Sequence, residues 1–542
     1  MDIGLISLIL VFGLIFLLGI GMPLGFASAV LALLVMVMKF EPGLLLNPFA
    51  FGEGLLTGRP GTGPLYILTQ KIFDLMTEYV LISVPLFIFM AALLERSGVA
   101  KQMYDSLDYW LSGVRGGIAI VTSLMAVIMA AMSGIIGGEV VLLGLIALPQ
   151  MLRLGYNQNL AIGTICASGS LGTMIPPSIV LIIYGLITET SIKALFTGAF
   201  IPGAMLASFI IIYIVVRTQL NPTLAPLPER AKDDPGGREK ALMFGSFLSL
   251  IIGGLAALYL VRNLFLTVTG RNNPAQDDFE PLFLGMVSHL PYLIGVIALC
   301  YVISFYGFGR ERTREGWKHG KGLVPPLSVI GVVLGSIYGG VTGITEAAGM
   351  GALAVFVIAA FRGEASVGLL WDSLMRTLRS TGTIIWVTVG AAALSGAYTL
   401  AGGPTYIAEL IIAAEMPPML VLLTMMLILL FMGAFMDWVG IVLLIIPVFL
   451  PIVKRLPIEE IGLIGTLSPS QVSIWFGVLF CMNMQVSFLS PPFGPAAFYL
   501  KSVAPPHISL TDIFRGFLPF IGVQLLALSV LLIWPSIVTI LL

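Results

Sequence analysis

Residues 168–178 read Ser-Gly-Ser-Leu-Gly-Thr-Met-Ile-Pro-Pro-Ser and interrupt a long hydrophobic segment of the chain. Proline has no backbone N–H, so the proline pair of this stretch releases the carbonyls of Gly172 and Thr173 from the helical hydrogen-bond ladder. Within a bilayer, such carbonyls are costly unless protein, water or an ion satisfies them. The stretch therefore predicts a broken helix at membrane depth, which is typical of a binding site.

A second stretch repeats this pattern. Residues 485–495 read Gln-Val-Ser-Phe-Leu-Ser-Pro-Pro-Phe-Gly-Pro, and their adjacent prolines release the carbonyls of Ser487 and Phe488. Two ordinary proline kinks are the alternative explanation, since membrane helices tolerate them. We favour a binding site because the two breaks correspond between the halves of the chain, as they do in secondary transporters.

The composition is that of a membrane protein. Of 542 residues, 58% are hydrophobic and only 10% are charged, whereas soluble domains carry about 25% charged residues. At roughly 20 apolar residues per crossing helix, the chain holds about 14 to 16 hydrophobic segments. We therefore expect an all-α polytopic protein embedded in the lipid bilayer. The net charge of −1 argues against a nucleic-acid partner, and the scattered Cys and His residues fit neither a disulfide framework nor a metal cluster.

Glycine-rich turns interrupt two other hydrophobic segments. One reads Met-Ser-Gly-Ile-Ile-Gly-Gly-Glu-Val-Val at 132–141, and the other reads Met-Gly-Ala-Phe-Met-Asp-Trp-Val-Gly at 432–440. Such a turn indicates either the tip of a re-entrant hairpin, whose helix ends face a ligand, or close helix packing through small residues. Since a loop and a broken helix follow each turn, we expect two repeats, and inverted repeats are the common arrangement at such sites.

Oxygen atoms dominate the ligands that the breaks offer. Released carbonyls and Ser or Thr hydroxyls suit a small hard cation, and Na⁺ is favoured over a divalent ion because few carboxylates are available. Asp437 is expected to complete a cation site, with proton transfer and helix capping as alternatives in that order. Glu139, which follows the glycines of the first turn, is expected to be structural or to face the cytoplasm.

Glu346 follows Thr345 between two apolar segments. An ionisable residue within a membrane helix is functional by default. In the alternative interpretation, Thr345 caps a helix and Glu346 complements the positive end of the helix dipole; both roles can hold together. An anionic substrate is expected to be held by hydroxyls and helix N-termini, and not by Arg153, Arg376 or Arg379, which we place near loops.

Clusters of Lys and Arg set the expected orientation. The segments Arg217–Lys240 and Arg310–Lys321 are rich in basic residues and are predicted to be cytoplasmic, with two additional membrane spans between them. The sequence contains no P-loop, dinucleotide fingerprint or nucleophile–base pair that would indicate an enzyme. We divide the chain into six regions. The first half holds N-terminal scaffold helices with an interfacial helix (1–115), a first transport repeat (116–216) and cytoplasmic loops with the additional spans (217–323). The second half holds scaffold helices (324–415), a second transport repeat (416–505) and a C-terminal membrane helix (506–542).

In their order and spacing, these motifs resemble those of the large membrane subunit, of the DctM type, of tripartite ATP-independent periplasmic (TRAP) transporters. The sequence departs from the family pattern at Ile135 and Gly138, which replace a Ser and an Ala, and at 343–344, where Gly-Ile replaces Thr-Pro. Region 217–323 is longer than the common form. The matching positions are Ser133-Gly134, Pro149 to Tyr156, Ser168 to Ser178, Pro202-Gly203, Thr345 to Ala348, Gly433 to Asp437 and Pro491 to Gly494.

The resemblance implies a Na⁺-coupled, elevator-type importer of small organic acids, such as dicarboxylates, in the bacterial inner membrane. It implies two partners, a small membrane subunit of about four helices and a periplasmic substrate-binding protein, and no cofactor besides the coupling Na⁺. By position, it implies cation ligands at Ser133, Gly172, Thr173, Asp437, Ser487 and Phe488, substrate contacts at Ser168, Ser170, Pro176, Ser490 and Pro491, and a supporting role for Thr345 and Glu346.

A stand-alone Na⁺/carboxylate symporter of similar elevator fold, working without a binding protein, is the second hypothesis. Both hypotheses use the same site chemistry, so the hairpins and breaks do not distinguish them. The family motifs and the dependence on partner proteins do. A channel or a membrane-embedded enzyme is a third class, which the residues support least.

Overall fold

The computed structural model describes residues 2–45, 47, 63–134, 137–227, 235–268, 289–413, 416–434, 436, 438–492 and 494–542. Ile135, Asp437 and residues 269–288 therefore lie outside the described residues. Every described element of secondary structure is helical, which confirms the predicted all-α class. The α-helices are α1 (Ile3–Gly19), α2 (Leu24–Phe40), α3 (Pro64–Thr77), α4 (Ser83–Arg96), α5 (Val99–Leu111), α6 (Gly117–Ser133), α7 (Gly138–Arg153), α8 (Gln158–Gly169), α9 (Ile179–Thr188), α10 (Ile192–Leu220), α11 (Gly237–Val268), α12 (Leu290–Val302), α13 (Arg310–Gly320), α14 (Val324–Tyr338), α15 (Ile344–Phe361), α16 (Val367–Leu400), α17 (Gly403–Ala413), α18 (Pro418–Gly433), α19 (Trp438–Leu444), α20 (Ile446–Val453), α21 (Val472–Leu489), α22 (Pro495–Lys501) and α23 (Leu510–Ile533).

Within the described chain, nine helical segments are long and apolar enough to cross a bilayer. This confirms the prediction of a multi-pass membrane protein. The last of them lies within the predicted C-terminal region 506–542 and ends at Ile533, shortly before Pro535. The nine segments are Tyr79–Arg96, Ile192–Leu220, Gly237–Phe265, Leu290–Gly307, Arg310–Tyr338, Ile344–Phe361, Val367–Leu400, Val472–Leu489 and Leu510–Ile533.

Each glycine-rich turn joins two short helices. Helix α6 has 17 residues and α7 has 16, fewer than the roughly 20 that a crossing helix needs. Gly134 and Gly137 connect them with φ angles of 58° and 102°, a backbone conformation that glycine adopts without a side-chain penalty. In the second half, α18 ends at Gly433, and α19 follows and packs against it.

The chain leaves the α-helix at both proline stretches. After α8, a single tight turn covers Leu171–Thr173, and the α-helix resumes only at Ile179. After α21, it resumes at Pro495. The start of α8 is fixed locally, because the Asn157 side chain accepts hydrogen bonds from two backbone N–H groups of the first turn at 3.0 and 3.2 Å.

Helix α21 runs through the middle of the core. All 18 of its residues are buried, and it packs against α9, α10, α18 and α23. Its polar groups find partners there: the Tyr184 hydroxyl donates to the Ser473 carbonyl at 2.8 Å, and the Trp475 indole N–H donates to the Leu531 carbonyl at 3.2 Å. The helix that leads into the second break is therefore fully buried in protein.

Helix α16 corrects one expectation. It is a single helix of 34 residues, about 50 Å long at 1.5 Å per residue, and it packs against α2 and α4. Arg376 and Arg379 lie inside it and not near a loop. No proline interrupts the helix, and Arg376 is paired with Glu95 of α4.

The basic segment after residue 309 also differs from the expected cytoplasmic loop, because it forms helix α13. Ion pairs support this helix: Arg312 contacts Glu239 at 2.8 Å, and Lys318 contacts Glu315 one turn earlier at 3.2 Å. Helices α11 and α12 pack together as the two additional spans. Residues 282–288, directly before α12, lie outside the described residues.

Several basic stretches meet at one end of the molecule. The Lys240 ammonium donates to the Ser112 hydroxyl at 2.7 Å, and His319 stacks on Tyr109 with ring centroids 3.6 Å apart. The backbone N–H of Asn157 donates to the Leu224 carbonyl at 2.8 Å. Helix α5, the loop after α7, the loop after α10 and helices α11 and α13 thus share one end, which the positive-inside rule assigns to the cytoplasm.

Candidate functional site

The tip of the first hairpin lies directly on the first helix break. The Ile179 N–H donates to the Gly134 carbonyl at 3.3 Å. A Cβ atom at Gly134 would overlap the carbonyl oxygen of Pro177. Since φ is also positive at this glycine, both the backbone and the available space exclude a side chain.

The second hairpin makes the equivalent contact in its own half of the chain. A Cβ atom at Gly433 would overlap the Ser487 side chain, in the last turn of α21 before the second break. Each hairpin therefore closes on the break of its own half.

Three predicted residues of the first break are drawn into one buried polar cluster. The hydroxyls of Ser123 and Ser168 are 2.8 Å apart. The Gln524 amide donates to the Ser170 hydroxyl at 3.3 Å, and the Gln485 amide donates to the Thr173 hydroxyl. Pro176 and Gly172 are buried in the same break.

The two glutamines come from α21 and α23, so the second half of the chain completes the first break. The sequence alone assigns no role to Ser123, Gln485 or Gln524. The sequence does contain a signal for the two glutamines: each carries a carboxamide inside an otherwise apolar helix. A buried carboxamide needs a hydrogen-bond partner. Gln485 even opens the second quoted stretch, but a single sequence does not show that its partner lies 312 residues away.

The carbonyls that the prolines release are partly satisfied by neighbouring groups. The Ser178 hydroxyl donates to the Thr173 carbonyl at 2.6 Å. The Ser490 N–H donates to the Ser487 carbonyl at 3.1 Å. A carbonyl oxygen has two lone pairs, so each of these oxygens retains capacity for a second partner.

Glu139 is the buried carboxylate of the first hairpin. It is 1% exposed and accepts a hydrogen bond from the Ser133 hydroxyl, and its second oxygen is buried without a hydrogen-bond partner among the described residues. The expectation that it faces the cytoplasm is therefore wrong. A Cβ atom at the adjacent Gly138 would overlap Glu95 and contact Arg376, so the hairpin tip lies against the ion pair between α4 and α16.

The second break differs from the first in exposure. Pro491 is exposed and Ser490 is half-buried, with its hydroxyl donating to the Val486 carbonyl at 2.8 Å. Phe488 is buried, and its ring lies 6.2 Å from that of Tyr499 on α22. A Cβ atom at Gly137 would lie 2.7 Å from the Tyr499 ring, so the second break also reaches the first hairpin tip.

Thr345 and Glu346 lie at the start of α15, next to Tyr79. The N-cap of this helix is Gly343, so the interpretation of Thr345 as the cap is wrong. Glu346 lies in the first turn, where a carboxylate complements the helix dipole, and it accepts a hydrogen bond from the Tyr79 hydroxyl at 2.9 Å. The Thr345 hydroxyl donates to the Tyr79 carbonyl at 3.4 Å. Both residues thus contact the turn before α4.

Replacing Thr173 by Val is expected to destabilise the protein by about 1–3 kcal/mol, because the buried Gln485 amide then loses its acceptor. Thermal unfolding of the purified protein measures this as a lower Tm. Thr383→Val, which removes an exposed hydroxyl from α16, should leave the Tm unchanged. An unchanged Tm for Thr173→Val would show that the contact with Gln485 does not stabilise the protein. A double variant with Gln485→Leu should recover part of the loss, since it leaves no unpaired amide.

The architecture is that of a multi-pass membrane permease in which two hairpins close on two broken helices. Residues 9–537 match the family model of the tripartite ATP-independent periplasmic transporter, DctM component. The chain therefore belongs to this family of inner-membrane transporter permeases, which are not enzymes.

Curated relatives cover most of the chain. The C4-dicarboxylate TRAP transporter large permease protein DctM of Pseudomonas aeruginosa is 24% identical over 477 residues, 87% of this chain and 88% of that protein. The ectoine/5-hydroxyectoine TRAP transporter large permease protein UehC of Ruegeria pomeroyi is 28% identical over 461 residues, which are 84% of this chain and 83% of that protein. The 2,3-diketo-L-gulonate TRAP transporter large permease protein YiaN of Escherichia coli is 24% identical over 474 residues, which are 87% of this chain and 88% of that protein.

Two solved structures are similar to the chain over most of its length. The YdaH transporter of Alcanivorax borkumensis has a TM-score of 0.48 at 16% identity, covering 93% of this chain and 97% of that one. MtrF of Neisseria gonorrhoeae has a TM-score of 0.49 at 13% identity, covering 94% of each chain.

Proposed function

We propose that this chain is the large permease subunit of a TRAP transporter that imports a small organic acid together with Na⁺. The observation that carries the proposal is the contact of each hairpin tip with the helix break of its own half, at Gly134 and at Gly433. Secondary transporters place their binding sites where broken helices meet in this way. The relatives named above act, by their names, on C4-dicarboxylates, ectoines and 2,3-diketo-L-gulonate, which supports a small organic acid as the substrate class.

The coupling cation is proposed to bind beside the first hairpin tip. Glu139 and Ser133 supply a buried carboxylate and a hydroxyl that already contact each other. A carboxylate with an unpartnered buried oxygen is a strong ligand for a small hard cation, and oxygen donors suit Na⁺. The other proposed cation ligands, Gly172, Thr173, Asp437, Ser487 and Phe488, extend the cation sites to the two breaks.

The substrate is proposed to contact the serine hydroxyls and the adjacent prolines of both breaks. Ser168 and Ser170 lie in the buried polar cluster of the first break, beside Pro176, whereas Ser490 and Pro491 lie at the more exposed second break. Tyr499 connects the two regions through the first hairpin tip. One acid molecule lying between the breaks would therefore meet groups from both halves of the chain. Thr345 and Glu346 keep only a supporting role, through the turn before α4.

An elevator movement is proposed for the two hairpins and broken helices relative to a scaffold of α2, α4, α15 and α16. The scaffold helices pack on one another, and Gly390 of α16 is in close contact with the backbone of Gly25 in α2. Such close backbone packing stiffens a helix pair. The buried hairpin tip contacts this scaffold at the Glu95–Arg376 ion pair, and inversion of the two repeats is part of the proposal.

Dependence on partner proteins distinguishes this proposal from the hypothesis of a stand-alone Na⁺/carboxylate symporter. Affinity purification of the tagged chain from its native membranes in mild detergent, followed by mass spectrometry, should recover a small membrane protein of about four helices. The reconstituted complex should then take up the acid only with a periplasmic binding protein and an inward Na⁺ gradient. Na⁺-driven uptake by the chain alone would favour the stand-alone symporter.

Replacing Asp437 by Asn is expected to abolish the stimulation of uptake by Na⁺. The acid is the one carboxylate of the second glycine-rich turn, and loss of its charge weakens a cation site. Uptake measured at increasing Na⁺ concentration, with choline as the replacement cation, tests this. Unchanged Na⁺ dependence would remove Asp437 from the cation site and leave proton transfer and helix capping as its alternative roles.

A further inference from the structure

A cavity of about 550 Å³ lies between α5 and the C-terminal half of α7. Lys101 and Asp105 line it from α5, and Ile146, Gln150 and Arg153 line it from α7. None of the residues that line it belongs to the helix breaks or to the hairpin tips. The cavity is therefore separate from the transport site.

The polar side of this cavity carries unpaired charges. Lys101, Asp105 and Arg153 are exposed, and none of the ion pairs among the described residues includes them. Gln150 is already used, because its amide donates to Asp108 at 3.2 Å. Two cations and one anion around an open cavity suit a ligand that carries both a phosphate and a hydrogen-bond donor.

The cavity also has apolar lining on α7, about two turns before Arg153. Leu145 is 57% exposed and Ile146 is half-buried, both on α7 next to the cavity. In a membrane protein, an exposed leucine on such a helix contacts acyl chains and not water. The charged rim lies at the end of the molecule where Lys240 and His319 pack on α5, which is the cytoplasmic end.

We propose that this cavity binds one phospholipid of the cytoplasmic leaflet. The phosphate lies between Lys101 and Arg153, the headgroup amine donates to Asp105, and an acyl chain runs along Leu145 and Ile146. Basic cavities between membrane helices on the cytoplasmic side are a known type of lipid headgroup site. Because α5 and α7 flank the cavity, the bound lipid ties the first hairpin to the helix beside it and stabilises the native protein.

Thermal unfolding of the purified, delipidated complex tests the proposal, with dioleoyl phosphatidylethanolamine, dioleoyl phosphatidylcholine or inorganic phosphate added. Phosphatidylethanolamine should raise the Tm by a few degrees, since a ligand that binds only the native state stabilises it. Phosphatidylcholine should raise it less, because its headgroup has no N–H to donate. Inorganic phosphate should have no effect; an equal effect would identify a site for a soluble anion and overturn the lipid proposal.

Variants locate the effect in this cavity. Lys101→Gln with Arg153→Gln should lose the response to both lipids, and Asp105→Asn should lose only the preference for the ethanolamine headgroup. Arg310→Gln with Arg314→Gln removes the same charge from the same end outside the cavity and should keep the full response. If the first double variant does not fold, Ile146→Trp, which fills the cavity from α7, replaces it. A full lipid response in either cavity variant would overturn the proposal.

Discussion

Uptake by a Gly134→Ala variant is expected to fall to background. The added methyl group would overlap the Pro177 carbonyl oxygen, and the left-handed backbone at this position costs a residue other than glycine about 1–2 kcal/mol. The carbonyl belongs to the main chain of the break and has no rotamer with which to avoid the contact. The hairpin tip must therefore lift from the break, which separates the groups proposed to bind the cation and the substrate.

Gly331→Ala is the matched control for this variant. Gly331 lies in α14, and a Cβ atom there would meet no atom within 4 Å. Alanine is favoured over glycine inside a helix by roughly 0.5–1 kcal/mol, so this variant should keep its uptake and its Tm. Uptake by Gly134→Ala at the wild-type rate, from an equal amount of folded protein, would show that the contact of the hairpin tip with the break is not needed for transport.

Replacing Glu139 by Gln is expected to raise the Na⁺ concentration that half-saturates uptake by tenfold or more. The substitution preserves size and the hydrogen-bonding capacity toward Ser133, but it removes the negative charge. A tenfold loss of affinity corresponds to about 1.4 kcal/mol, a modest fraction of what a buried carboxylate contributes to binding a cation. The Na⁺ dependence of uptake at fixed substrate concentration measures this shift.

Glu459→Gln serves as the control, because it makes the same chemical change at an exposed loop position. It should leave the half-saturating Na⁺ concentration unchanged. A structural role for Glu139 predicts a different pattern, in which the amount of folded protein falls and the Na⁺ dependence of the remaining uptake does not change. That pattern would remove Glu139 from the cation site.

The sequence is most informative where a single residue type controls the backbone. Proline pairs mark both breaks because proline removes the N–H that a helix needs, and Gly134 marks the first hairpin tip because the turn there requires a positive φ angle. These effects are local, so one sequence suffices to predict them. The all-helical, multi-pass class follows in the same way from the scarcity of charge.

Contacts between distant segments are what the sequence does not reveal. The partners of Ser168, Ser170 and Thr173 are 45, 354 and 312 residues away, respectively, and no periodicity links such positions. The burial of Glu139 depends in the same way on helices packed around the hairpin. Arg376 and Arg379 were expected near loops, but they lie inside α16, a continuous helix that packs against α2 and α4.

Binding of radioactive Na⁺ to the purified complex, without any substrate, shows whether the hairpin tip and the break form a cation site. We expect saturable Na⁺ binding by the wild type, at least tenfold weaker binding by Glu139→Gln, and wild-type binding by Glu459→Gln. Saturable binding that is equally strong in Glu139→Gln and in Gly134→Ala would exclude this site and place the coupling cation elsewhere in the protein.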